Sequence, residues 1–92
     1  MSEHAESLQE LMGREVVIDV GSQYVFLGTL IAADAFYLTL KEADVHDLRD
    51  TSTTRELYVV DARRHGIPWN RKQVMVRTHE IVSLSALEDV RI

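Results

Sequence analysis

The sequence predicts an all-β domain, five strands bent into a small barrel, with one helix ahead of the strands and one inserted among them. Three observations carry this. Apolar residues recur with a period of two from Glu15 onward, a glycine (Gly28) interrupts an otherwise apolar strand, and two short apolar strands follow a long insert.

The first segment, Ser2–Met12, reads as a short helix. Ser2 can cap it, Glu3 and Glu6 suit its first turn, and Leu8, Leu11 and Met12 fall on one face. Gly13 then supplies a left-handed stop. A helix this short is marginal alone and is expected to lie on the barrel.

Val16, Ile18 and Val20 alternate with Glu15, Val17 and Asp19, which gives a first strand with one preferred buried face. Gly21-Ser22 turns the chain, and Tyr24–Ala33 forms the second strand. Gly28 within it weakens a flat strand but permits the bend or bulge that a small barrel needs. Asp34-Ala35 turns the chain again into a third strand, Phe36–Val45. Val74–Thr78 and Glu80–Ser85 are shorter strands separated around His79.

The stretch from His46 to Gln73 is too long for a structureless loop in a compact domain. Thr53-Thr54-Arg55-Glu56 fits a capping box with Thr53 as the cap, and Gly66 with Pro68 forms a stop after Arg63-Arg64-His65. The insert is therefore expected to be helical, although Tyr58-Val59-Val60 also suits a strand. Within the insert, Trp69, the one Trp of the sequence, is expected to pack against the barrel, the alternative being an exposed anchor for a partner.

Ninety-two residues suit a single domain, 1–92. The formal charge of −5 argues against indiscriminate coating of nucleic acid. The charge is uneven: residues 1–62 hold four basic and twelve acidic side chains, and residues 63–92 hold six and three. Arg63, Arg64, Arg71 and Lys72 fall close together with His65 among them and read as a solvated loop; the functional alternative is a local basic rim on an acidic body. There is no Cys, hence no disulfide, thiol nucleophile or Cys-based zinc site. Asp44, His46, Asp47 and Asp50 lack the spacing of a calcium or zinc site and read as a solvated acidic loop. No acid, base and nucleophile converge by motif, so no enzyme activity and no cofactor is expected. No leader-like segment or membrane-length apolar run is visible, and a soluble, cytoplasmic protein is expected.

The blocks GSQYVFLGTLIAADAFYLTL (21–40) and VMVRTHEIVSL (74–84), in this order around an insert, resemble the Sm-like (LSm) family over roughly Leu8 to Leu87. That resemblance implies an open five-stranded barrel. It also implies a cyclic homo-oligomer in which the fourth strand of one copy pairs with the fifth strand of the next. Such pairing would satisfy two edges that are otherwise a liability.

The resemblance further implies single-stranded RNA binding near the ring pore, at two turns. In the first, Asp34 would orient the loop and Phe36 would stack on a base, while Tyr37 stands where the family carries a base-reading Asn. In the second, Arg77 would supply the cation, Thr78 replaces the family Gly, and His79 could add a donor or stacking face. The alternative is a homo-oligomeric assembly ring without nucleic acid, taking a protein partner at the insert. It draws on the acidic balance and on the two replacements, Tyr37 and Thr78.

Overall fold

The computed structural model describes residues 8–50 and 53–92. Five antiparallel strands, β1 (Glu15–Val20), β2 (Tyr24–Ala33), β3 (Tyr37–Asp47), β4 (Arg71–Arg77) and β5 (Ile81–Ala86), form one sheet in the order β4-β3-β2-β1-β5. The sheet is unclosed, so β4 and β5 are its two edges.

Its inner face is lined by Val16, Ile18, Leu30, Leu38, Leu40 and Val76, all buried. The bend depends on bulges. Register shifts fall between Leu27 and Thr29 and between Leu30 and Ala32 on the β2–β3 pair, and between Asp19 and Val20 on the β1–β5 pair. Opposite the first shift, Glu42 takes a φ of 47°. Gly28 sits against this bulge: a Cβ there would lie 3.0 Å from the Leu40 Cβ and 3.2 Å from the Ala43 Cα. Close approach of two strands is thus what this glycine allows.

The anticipated N-terminal helix lies partly outside the described residues, including its cap Ser2 and acidic Glu3 and Glu6. Residues 8–11 are helical, and Leu8 and Leu11 pack against the inner core. Met12 faces outward instead. Gly13 ends the helix with φ +82° and donates its N–H to the Leu30 carbonyl at 2.7 Å.

The insert is a helix, α1 (Arg55–His65). Its cap is Thr54, one residue later than the capping box suggests: the Thr54 hydroxyl accepts from the Leu57 N–H at 3.1 Å. Gly66, at φ 95°, closes it by donating to the Ala62 carbonyl at 2.9 Å. Tyr58, Val59 and Ala62 on α1 meet Val17, Val25, Leu27 and Leu87 in a second core on the outer face of β1 and β2. Val17 therefore does not share the solvent-facing role of Glu15. The helix covers its side of the sheet, so Val17, Val25 and Leu27 are buried on the outer face while Ile31–Ala33 at the end of β2 stay exposed.

The strand limits also move. β3 begins at Tyr37 and runs on to Asp47, and β5 is shifted one residue to Ile81–Ala86. β4 starts at Arg71, because Arg71 and Gln73 pair with Ala43 and Lys41. Asn70 fixes that entry. Its N–H donates to the Ala43 carbonyl at 2.9 Å, its side-chain oxygen accepts from the Val45 N–H at 3.1 Å, and its amide donates to the Val45 carbonyl at 3.2 Å.

Candidate nucleic-acid interface

The two turns singled out in the sequence come together at one end of the sheet. Antiparallel pairing of β3 with β4 places Tyr37 opposite Arg77, so the turn entering β3 and the turn leaving β4 are neighbours. Asp34 organises the first turn. Its Oδ1 accepts from the N–H groups of Phe36 at 2.7 Å and Tyr37 at 2.8 Å, and its own N–H donates to the Tyr37 carbonyl at 2.9 Å. Hydrogen bonds from the Phe36 and Tyr37 amides hold the Asp34 carboxyl below the usual carboxylate range. A carboxylate accepting two amide protons freezes a tight turn.

Thr78 fastens the second turn to the first. Its N–H donates to the Phe36 carbonyl at 2.8 Å, and its hydroxyl donates to the Ala35 carbonyl at 2.9 Å. Thr78–Glu80 forms one turn of 3-10 helix. Among the described residues outside glycine, only Glu42 has a positive φ, so Thr78 is unstrained where a glycine would have offered a left-handed turn. The replacement exchanges backbone freedom for a side-chain hydrogen bond.

This latch leaves Phe36 72% exposed. A large aromatic ring held out by a rigid turn is suited to stacking on a flat apolar partner. Arg77 is exposed beside it, and His79 is exposed with Nε2 3.8 Å from Glu80 Oε1. Phe36, Tyr37, Arg77, Thr78 and His79 therefore lie within two apposed turns, and Asp34 supports them from behind.

Other sequence readings change. The Asp44–Asp50 segment is no solvated acidic loop. Asp44 is buried and accepts a hydrogen bond from the Tyr58 hydroxyl, and the His46 ring stacks on Tyr58 with centroids 3.9 Å apart. Burial, then the hydrogen bond and negative charge of Asp44, push the Tyr58 hydroxyl pKa upward. Asp47 pairs with Arg49 at 2.8 Å. Among the described residues no group of three or more His, Cys, Asp or Glu could hold a metal. Trp69 does not pack fully against the barrel, for half its surface is exposed. The expected basic loop is not a loop: Arg63 and Arg64 end α1 and Arg71 and Lys72 begin β4, all four exposed, and Arg63 Nε donates to the Glu88 carbonyl at 3.1 Å. Sequence reasoning passed over Asn70 and Tyr58. The turn-like Pro-Trp-Asn run could have suggested a side chain pairing with backbone, but nothing local marked Tyr58 as the partner of Asp44.

A bent, unclosed five-stranded antiparallel sheet with a short helix ahead of it, and two turns apposed at one end, defines a small-barrel architecture found among solved structures. The Sm protein of Pyrococcus abyssii, solved in complex with a uridine heptamer, is 13% identical over 92% of this chain and 99% of its own, with a TM-score of 0.64. The SmAP1 heptamer of P. aerophilum matches at 18% identity over 94% and 95% of the two chains, TM-score 0.64. A chain of the NatC complex bound to CoA matches at 17% identity over 90% and 87%, TM-score 0.58. No family model and no curated protein matches the sequence. The chain has the Sm-like fold.

Proposed function

We propose that this chain is a non-enzymatic, cytoplasmic RNA-binding ring protein. Copies join β4 of one to β5 of the next, and single-stranded RNA lies against the turn pair near the ring centre. The observation that carries this reading is the Thr78 latch, which holds Phe36 outward beside Arg77. Phe36 stacks on a base, a contact worth about 1–3 kcal/mol. Arg77 meets phosphate or a base face, and Tyr37 with His79 shapes the base pocket in place of an amide reader. Asp34 and Thr78 position the loop. The solved Sm proteins of the same fold, one holding a uridine heptamer and others heptameric, support the reading.

Ring formation has its own support in the two sheet edges. β4 exposes Met75 and β5 exposes Val82, apolar side chains on strands whose outer backbone groups have no partner strand among the described residues.

The test combines light scattering of the native particle with fluorescence titration of labelled oligo-U and oligo-A at two salt concentrations. A cyclic oligomer that binds RNA more weakly at higher salt, and loses binding on Phe36→Ala with Arg77→Ala, is the expected result. A monomer in dilute buffer, or a ring that binds neither oligonucleotide at low salt, overturns it.

A second reading, a ring that assembles proteins and binds no RNA, is favoured by one observation: α1 displays Leu57 with 57% of its surface exposed, an apolar site on the insert that a partner could cover. A chain of the same fold within the NatC complex keeps that role open to the architecture.

A further inference from the structure

Leu38, Leu40, Val74 and Val76 turn into the inner core, so their neighbours stand on the opposite face of the β3–β4 pair. Across the strands these are Tyr37 with Arg77, Thr39 with Met75 and Lys41 with Gln73. Among the described residues nothing in the outer core under α1 comes from residues 37–41 or from β4, and on this face Lys41, Arg71, Gln73, Met75 and Arg77 are exposed while Tyr37 and Thr39 are half-buried. Its own strand residues carry no carboxylate: none occurs from Tyr37 to Lys41 or from Arg71 to Arg77 in a chain of net charge −5, and the nearest acid at the Arg77 end is Glu80, which lines a cleft with Met75 and Arg77. Among the described residues no ion pair engages Lys41, Arg71, Lys72 or Arg77.

The strip has aromatic rings beyond both ends. Phe36 stands at the turn pair, and Trp69, half exposed, precedes the Asn70 anchor where β4 begins. From Arg77 to Arg71 the strand covers about 20 Å at ~3.3 Å per residue. Alternate residues are then about 6.6 Å apart, comparable to successive nucleotides of an extended strand.

The geometry points to a second nucleic-acid contact: single-stranded RNA leaving the turn pair runs along the outer face of β3 and β4, past Lys41 and Arg71, to Trp69. This rests on the RNA reading of the turns and extends it from one base pocket to a track of several nucleotides. A polyanion is the occupant that the charge favours, because a strip whose only charges are cationic attracts phosphate. Bases gain a stacking surface at each end, and Thr39, Met75 and Gln73 between them carry no charge that selects a sequence.

The test uses the native full-length protein, a uridine trinucleotide and an oligouridylate of about 15 nucleotides, titrated over a salt series. The expected result has three parts. The longer RNA binds more tightly than the short one. The Lys41→Ala, Arg71→Ala double variant lowers the salt slope for the long RNA by about 1.4, the loss of two single-strand phosphate contacts, and leaves the trinucleotide unaffected. Trp69→Ala weakens the long RNA by about fivefold or more and again spares the trinucleotide. All three substitutions are at exposed positions, and an unchanged urea midpoint confirms folding. If these variants bind the long RNA as the wild type does, or weaken both RNAs equally, the track is wrong while the turn reading stands. If the wild type binds neither RNA, both fall. Polyglutamate binding with the same dependence on Lys41 and Arg71 would show an acidic protein partner and overturn the RNA track.

Discussion

The backbone N–H of Thr78 donates to the carbonyl of Phe36 at 2.8 Å, and this bond joins segments forty-two positions apart in sequence (78 − 36 = 42) into one surface. With the hydroxyl bond to the Ala35 carbonyl at 2.9 Å, it makes the shape of the phenyl platform depend on a threonine. Thr78→Val keeps the side-chain volume and the N–H bond but deletes the hydroxyl. A loss of about 0.5–1.5 kcal/mol is expected in urea denaturation. Oligo-U affinity should fall with it, as Phe36 loses its fixed presentation. A variant as stable as the parent with unaltered affinity contradicts the latch.

Asp34 makes the turn sensitive to acid. Amide hydrogen bonds depress its folded-state pKa below the unfolded value of about 3.9. Its contribution to stability is therefore complete above that value and is lost as pH falls through the folded pKa. Asp47 adds to the same limb, lowered chiefly by its hydrogen bond from the Arg49 side chain. Urea midpoints should drop on acidification below about pH 4, and Asp34→Asn should flatten the drop. Identical acid limbs in the two proteins would remove Asp34 from the account.

Gly28→Ala tests the bulge. The added methyl meets Leu40 Cβ at 3.0 Å and Ala43 Cβ at 3.1 Å, neither of which is the mobile end of a long side chain. Overpacking of this kind costs about 1–3 kcal/mol, read from thermal or urea unfolding. A neutral or stabilising result means the strands can part without loss.

Tyr58→Phe leaves the buried Asp44 carboxylate without its hydroxyl donor. The expected destabilisation is about 1–3 kcal/mol, the cost of an unsatisfied buried polar group. Because the folded Tyr58 pKa is raised, its stabilising contribution is present below the unfolded value of about 10 and is lost as pH rises above it. The variant should therefore also lose part of the alkaline decline in stability, and an unchanged alkaline limb argues against the pair.

The cap of α1 separates two adjacent threonines. Thr54→Ala should cost about 1 kcal/mol, since its hydroxyl holds the Leu57 N–H, whereas Thr53→Ala should cost little. Equal effects from both would mean the helix begins elsewhere.

Much of the fold was legible because local rules were strong. Period two marked β1 and β2, Gly28 marked the bend, and a cap with a closing glycine marked α1. Thr53 and Thr54 differ by one position with the same hydroxyl, so the pattern located the cap only to within a residue. Val17 could not be read as buried, because alternation assigns one face to the core and only α1, folding back from forty residues away, covers the other. Asp44 was misread for the same reason: its partner Tyr58 is on that helix. Arg71, Lys72 and Gln73 look like loop until their pairing with β3 is seen. The turn residues were placed in advance by the resemblance, and the structure added the Thr78 latch that joins them.

Asn70 has a consequence for how such a chain can change. Its amide imitates one more rung of the ladder against Val45, so β4 enters at the same point whatever the preceding segment does. The chain on either side of α1 can then change in length, provided that Tyr58, Val59 and Ala62 still cover Val17, Val25 and Leu27. Such changes would leave the β4 edge of the sheet in place.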